Sequence, residues 1–595
     1  MKNKAILFIL FFINLILSFA FIHLFPSDMR VDYLFFDLMA WIICYVIYYI
    51  YLTKKKLFDI NKFSLLFLYY CISLLLILIF NTILAFGFLK IKFLIFIILS
   101  VVDIFISDKQ KASLAQYGPH CLFLSLAIFI TLLSPNSPIG NGESYTDSSV
   151  FRYIGALMAH GEVPYLDSFD HKGLLIYFIN YLPLVLNLKY GLWLIETIVI
   201  FIAFTFAYKT CNLFNKKTVS IISVIVAFIP IIYTYQGGNL TEEYALPFMF
   251  ISLYLFTRDL KKQKSVTNVS ALIIGLCAGA VFLLRINMLV LWVCMALYLL
   301  VMYINKKDYK KLFNNIVSFI GGLIVFMIPF TIYLIINGAF GEFINQYLIF
   351  NLKYVGGNQK LPLVDTLVAF LPKVELCIFA LFALLVFTMQ TKNKSYYIFL
   401  LSYLILTIFI VILPGSVYSH YAMILIPALL VPIALVIDVV YKKLFAFAKT
   451  DTSRTMFTYF AIICLCITDF IFVFDAEKNM FLQPKQYTGV AKIVQRYTEK
   501  DDNILVCGNM NIVYLASDRY TKIKYSYQTP ILNVDNTLAK DFLKQFNQNR
   551  PKLIYVDSEY SVKKIDKVMN KILSTDYEIV HDGKYARIYL AKTIK

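Results

Sequence analysis

The sequence predicts an α-helical polytopic membrane protein that ends in a small α/β domain. Three observations carry this reading. Of the 595 residues, 60% are hydrophobic and only 15% are charged, against about 25% charged in an ordinary soluble domain. Apolar runs of about 18 residues or more recur along the chain, long enough to cross a bilayer core. From about residue 476 the pattern changes to short strand-like stretches separated by turns. A membrane barrel would show alternating segments of about ten residues instead.

The net charge of +19 does not indicate a nucleic-acid partner. Lys and Arg stand in short clusters between apolar runs, as the positive-inside rule requires. The ten Cys are scattered, make no CxxC pair and lie mostly in apolar segments, and there are only 6 His, so structural disulfides and zinc sites are not expected. The N-terminus, "MKNKAILFILFFINLILSFAFIHLF", starts like a signal peptide. Its apolar run is too long and no small-x-small cleavage site follows, so it reads as a retained first membrane helix.

Crossings are expected near 5–25, 33–53, 64–87, 91–107 and 119–134. With the N-terminus cytoplasmic, the fifth helix exits to the far side. Later crossings fall near 190–209, 218–235, 242–257, 268–285, 288–305, 314–337, 365–389, 396–413, 421–440 and 455–475. Basic clusters at 215–217, 259–264, 305–311, 391–394 and 441–454 then all land inside, and the loops at 236–243, 338–363 and 414–420 land outside. Residues 174–188 break the parity if they cross fully. They are treated as a partial or re-entrant helix, with Pro183 making an imperfect helix reasonable. The total is roughly 13–16 membrane segments. The expected organisation is additional N-terminal helices over 1–112, a membrane module over 113–475 with its first outer loop at 135–173, and an extracytoplasmic α/β domain over 476–595.

In that last part, "DNILVCGNMNIVYLASDRY" reads as strand, turn, helix, and "PKLIYVDS" as a second strand. "YEIVHDGKYARIYLAK" reads as two strands around Asp582-Gly583, a hairpin signal. The Gly after the first strand is not part of a GxGxxG, so no nucleotide site is assigned.

The densest polar stretch is "ESYTDSSVFRYIGALMAHGEVPYLDSFDHKG", Glu143 to Gly173. Val150, Ile154, Leu157 and Met158 lie on one helical face. Asp147 or Ser148 is a plausible N-cap and Gly161 a C-terminal stop. The expectation is an amphipathic helix on the outer membrane surface, followed by Asp167, Asp170, His171 and Lys172 at the start of the next apolar segment. Taken singly, Asp147 reads equally well as a cap, and Lys172 as a snorkelling border lysine. The density of charge is what points to a site.

A membrane helix, an Asp on a short helix, and then G-x-x-P-Y-x-D-x-F-D-H-K-G over 161–173 resemble the GT-C glycosyltransferases, in the branch of protein mannosyltransferases and aminoarabinose transferases. The nearest likeness is to bacterial members that decorate Gram-positive cell-wall polymers. The "DHKG" end corresponds to a "KPP" signature in relatives, with Gly173 and Leu174 in place of the two Pro. The resemblance covers roughly 115–440 and implies a GT-C-like fold and a polyprenyl-phosphate sugar donor. It implies transfer on the outer face of the membrane, with Asp147 as the catalytic acid or base.

Other candidates stand at expected outer helix ends. Arg285 closes an apolar run, where a charge is costly and suggests function. Tyr418, His420 and Tyr421 stand at a helix mouth, and relatives carry a similar "HY". With Asp167, Asp170, His171, Lys172 and Lys353, these are assigned to donor phosphate or sugar. Glu242 and Glu243 are assigned to acceptor or sugar, with a first-turn helix role as the plain alternative. Lys353 lies in a polar, aromatic loop over 345–360. Asp147, Asp167, Asp170 and the two Glu could build an oxygen-rich cation site, but no metal or other cofactor is expected. The expected protein is thus a hexosyl- or N-acetylhexosaminyltransferase in the plasma membrane of a Gram-positive bacterium. Its acceptor is a teichoic acid, wall polysaccharide or glycolipid. The competing readings are a transporter or flippase, or a polymerase or ligase, for lipid-linked saccharides. A transporter calls for mid-membrane charges and repeats, and neither is visible in the sequence.

Overall fold

The computed structural model describes residues 117–447 and 486–592, apart from short breaks within them. The four crossings expected before residue 112 and the one near 455–475 lie outside the described residues.

The membrane module starts with α1 (Gly118–Leu132), α2 (Thr146–Ala159) and α3 (Leu174–Val185). Six helices of 12 to 28 residues follow: α4 (Gly191–Cys211), α5 (Lys217–Phe228), α6 (Thr241–Gln263), α7 (Asn268–Phe282), α8 (Val290–Asn305) and α9 (Tyr309–Ile336). The module continues with α10 (Leu363–Phe370), α11 (Glu375–Gln390), α12 (Lys394–Ile412) and α13 (Ile426–Phe447). Among the described residues, the stretches Gly191–Cys211, Ile286–Asn305, Tyr309–Ile336, Lys394–Ile412 and Ser419–Lys442 are long and apolar enough to cross a membrane. Two expected spans are described in two parts each. The one near 365–389 is described as α10 and α11, with 371–374 outside the described residues, and the one near 218–235 stops at Phe228 and resumes as a single turn, Ile231–Thr234. Pro230 cannot donate to the ladder there.

The 174–188 segment does not cross by itself. Its helix has 12 residues, about 18 Å, against a hydrocarbon core of about 30 Å. The basic turns after α4, α6 and α8 converge at one end: Lys261 Nζ donates to the Leu213 carbonyl, and Lys306 Nζ donates to the Lys264 carbonyl at 2.9 Å. Without a hydrophobic force between helices in lipid, close backbone approach holds them together. α7 and α9 meet through Gly275 and Gly322, where an added Cβ would stand 2.0 Å from the carbonyl oxygens of Phe319 and Leu272 respectively.

α2 departs from expectation. Its apolar face, Val150, Ile154, Leu157 and Met158, is buried in protein and not laid on lipid. α3 covers one side, and the C-terminal domain covers another, with Tyr153 and Tyr514 ring centres 4.7 Å apart.

The C-terminal domain runs α14 (Gln486–Tyr497), β1 (Ile504–Cys507), α15 (Ile512–Ser517), α16 (Asn536–Gln548), β2 (Leu553–Asp557), α17 (Asp566–Asp576), β3 (Tyr577–Asp582) and β4 (Ala586–Ala591). The sheet order is β1-β2-β4-β3. β1 and β2 are parallel, as the crossover through α15 and α16 allows. β3 and β4 form the expected hairpin about Asp582-Gly583. The domain docks on the 143–173 segment: the Phe169 amide donates to the Lys524 carbonyl at 2.7 Å, and Phe169 stacks on Tyr525 at 5.3 Å.

Candidate active site

Gly173 organises the site. An added Cβ would stand 2.2 Å from the Leu283 carbonyl oxygen. The bare backbone instead bonds there: Gly173 N–H donates to Leu284 O at 3.0 Å and Leu175 N–H to Leu283 O at 2.9 Å. Lys172 is thereby brought into the neighbourhood of Arg285, one residue past that contact, and both charges act on Glu242 and His171.

Arg285 lies in extended backbone between α7 and a short turn at Ile286–Leu289. Its guanidinium pairs with the Glu242 carboxylate and lies over the Tyr421 ring, 4.2 Å from the centroid. Glu242 is in the first turn of α6 and also accepts from the Thr241 hydroxyl at 2.8 Å. His420, 8% exposed, has Nδ1 2.9 Å from Gln236 Oε1 and packs edge-to-face with Tyr421, ring centres 4.8 Å apart.

Asp147 lies in the first turn of α2, one residue inside the helix. Its carboxylate is 34% exposed, and Lys172 Nζ is 3.8 Å from its Oδ2, while Lys172 itself is almost fully covered. The Asp147 charge also acts on Arg285, His420 and Tyr418. The structure therefore gathers Asp147, Lys172, Arg285, Glu242, His420, Tyr418 and Tyr421 from four separate stretches of chain. A carboxylate able to take a proton stands among cations able to face an anion.

Asp170 and His171 form the wall behind Lys172. Asp170 is buried, which pushes its carboxyl above the usual carboxylate range, against the opposing pull of the Lys172 charge and of its hydrogen bonds. Burial, and then the Lys172 and Arg285 charges, push the His171 ring well below the usual imidazole range, so the ring is neutral at pH 7. It stacks on Tyr354 with centroids 5.3 Å apart.

Three candidates lie elsewhere. Asp167 accepts from the Val163 amide at 2.6 Å and lines a separate cleft of 890 Å³ with Glu162, Lys500, Asp502 and Tyr520. Lys353 pairs with Asp535 of the C-terminal domain at 2.9 Å. Glu243 is fully buried in the membrane module, near Glu196. Among the described residues, no cluster of three or more metal-ligating side chains is present.

The sequence reading missed Tyr177, Gln236, Gln346 and Tyr527. The 345–360 stretch, read as a loop, is helical from Phe340 to Val355 and includes a π-helical turn, Ile344–Ile349. That turn and the α-helical turn after it, Phe350–Val355, put Gln346 and Asn351 on the backbone of the 164–172 segment: Gln346 Nε2 donates to Tyr165 O at 2.7 Å, and Asn351 Nδ2 to His171 O at 2.8 Å. Irregular helices of this kind often mark functional sites, but their side-chain pattern is not distinctive.

A family model described as the competence-induced protein Ccs4 N-terminal domain matches residues 107–463. No curated protein sequence matches the chain. Among solved structures, ArnT from Cupriavidus metallidurans bound to undecaprenyl phosphate is similar, with a TM-score of 0.53 and 11% identity over 80% of this chain and 98% of that one. The same protein in the apo state gives 0.53 and 12% over the same shares. The Archaeoglobus fulgidus oligosaccharyltransferase tethered with an acceptor peptide gives 0.47 and 12%, over 80% of this chain and 74% of that one. The ArnT likeness, at 11% identity, is one of fold.

Proposed function

The chain belongs to the competence-induced protein Ccs4 N-terminal domain family, and we propose that it is a membrane glycosyltransferase that moves one sugar from a polyprenyl phosphate to a cell-envelope acceptor on the outer face of a bacterial plasma membrane. The sugar is a hexose or N-acetylhexosamine, and the acceptor a teichoic acid, wall polysaccharide or glycolipid. The observation that carries this reading is Asp147, about one-third exposed, beside the covered Lys172 ammonium at 3.8 Å. The undecaprenyl phosphate bound to the similarly folded ArnT supports the choice of donor.

In the proposed reaction the acceptor hydroxyl oxygen attacks the anomeric carbon. The bond from that carbon to the phosphate oxygen breaks, and its electron pair stays on the phosphate. The hydroxyl proton passes to Asp147, a contribution of about 10²–10⁴ in rate. Sugar transfer passes through an oxocarbenium-like state, and the phosphate is already a good leaving group. Lys172 and Arg285 face its growing charge with charge-assisted hydrogen bonds. His420 and Tyr421 frame Arg285. This role requires no metal.

The test is a deletion of the gene followed by sugar analysis of wall polymers and lipids, complemented with wild type or Asp147→Asn. The expected result is loss of one sugar, restored by wild type and not by the variant. Full restoration by Asp147→Asn, with the protein present at wild-type level, removes Asp147 as the base. An unchanged sugar profile in the deletion removes the transferase reading.

A further inference from the structure

Asp170 has no room for a substrate. Its Oδ1 accepts from the Tyr527 hydroxyl at 2.7 Å and from the His171 amide at 2.7 Å, and its Oδ2 accepts from the Tyr177 hydroxyl at 2.7 Å. It is 2% exposed. Tyr527 comes from the C-terminal domain, 357 residues away along the chain. The carboxylate is therefore clamped from both the membrane module and the domain docked on it.

The clamp continues through His171. Lys172 Nζ lies 3.2 Å from His171 Nε2. An ammonium only donates, so Nε2 accepts and carries no proton. In the neutral ring the proton is then on Nδ1, which faces Asp170 Oδ1 at 3.4 Å. The second partner of an imidazole selects its tautomer in this way. The order is Tyr527, Asp170, His171, Lys172, Asp147, and the last separation, 3.8 Å, is too long for a direct hydrogen bond.

We infer that Tyr527, Asp170 and His171 are positioning residues that hold the Lys172 ammonium back from Asp147, so that the C-terminal domain is a working part of the site. The inference rests on the transferase reading above. With His171 accepting one ammonium proton, Lys172 keeps the others for an anion, and the Asp147 lone pairs stay open to the acceptor hydroxyl. Without that acceptor, Lys172 is free to close on Asp147 in a direct ion pair and weaken it as a base.

Two measurements on the full-length protein in detergent test this. The first is turnover with a polyprenyl-phosphate hexose. His171→Phe and Tyr527→Phe are expected to lower kcat about tenfold, less than the about 10²-fold that misplacement by about 1 Å can cost, with KM for the donor changed no more than about threefold because Arg285 remains. His171→Gln supplies an oxygen acceptor and is expected to recover most of the loss. An unchanged kcat in His171→Phe, or His171→Gln no better than His171→Phe, overturns the inference. The second is the ¹⁵N spectrum of imidazole-labelled protein, which needs no turnover. The chain has 6 His, and the His171 signals are identified by their loss in His171→Gln. A neutral ring protonated at Nδ1 is expected at pH 7. The opposite tautomer, or a charged ring, overturns the clamp even if Asp147 proves to be the base. The expected tautomer in a protein without transferase activity leaves the clamp standing and condemns only the reaction.

Discussion

Gly173 lies on the Leu283 carbonyl so closely that a methyl group at its Cα would stand 2.2 Å from that oxygen. Its φ of −73° is open to any residue, so the need for glycine is one of space. Gly173→Ala is expected to push Lys172 away from Arg285 and lower transfer about 10²-fold, as misplacement by about 1 Å can do, while most of the protein still folds. Turnover compared with the folded yield in detergent checks this, and wild-type turnover refutes it.

The Arg285–Glu242 pair is largely buried, at 14% and 3% exposure. Removing one partner of such a pair costs about 3–5 kcal/mol, because the other charge is left buried and unpaired. Arg285→Gln and Glu242→Gln are each expected to lower the thermal midpoint strongly. The double variant should be less unstable than the sum of the singles, which a double-mutant cycle reads directly. Additive losses would show that the two charges do not depend on each other.

Gly275 and Gly322 set the α7–α9 separation, each with a facing carbonyl 2.0 Å from where a Cβ would sit. Gly275→Leu or Gly322→Leu must part the helices, and either is expected to reduce folded yield sharply. Gly321, where a Cβ would meet nothing within 4 Å, is the control, and Gly321→Ala should be tolerated. Equal yields for Gly322→Leu and Gly321→Ala would remove the packing argument.

Asp535 caps α16, accepting from the Thr537 amide at 2.8 Å, and also pairs with the exposed Lys353. Asp535→Ala is expected to cost about 1 kcal/mol through the lost cap, Asp535→Asn less, and Lys353→Ala under about 1 kcal/mol because the ion pair is solvated. The Thr537 amide first, and then Lys353, lower the Asp535 pKa from 3.8 to about 2. A folded pKa below the unfolded one stabilises fully above the unfolded value and is lost as pH falls through the folded one. The protection of α16 amides, after correction for the intrinsic pH dependence of exchange, should therefore fall between about pH 4 and pH 2 in wild type, and Asp535→Asn should flatten that fall.

Much of the architecture could be read from local pattern. Apolar runs located α4, α8, α9 and α12 to within a few residues, and basic turns marked the end they share. Alternation and the Asp582-Gly583 turn located β3 and β4. The same rules misread the stretch at 340–355, because a short helix carrying Gln346, Tyr347 and Asn351 has no clear apolar stripe. They also put the apolar face of α2 on lipid, because a face that packs on protein and one that packs on acyl chains have the same composition.

The sequence by itself determined that the chain is a bundle of membrane helices with a small α/β domain, and that its polar density falls between Glu143 and Gly173. Hydrophobic length and periodicity are local properties, so local reading reaches them. Only the tertiary structure decided which charged groups work together. It joined Asp147 and Lys172 to Arg285 and Glu242, sent Asp167 and Lys353 elsewhere, and brought Tyr527 to Asp170 across 357 residues. Those choices depend on a glycine backbone contact, buried ion pairing and the docking of a second domain. None of these leaves a periodic trace along the chain.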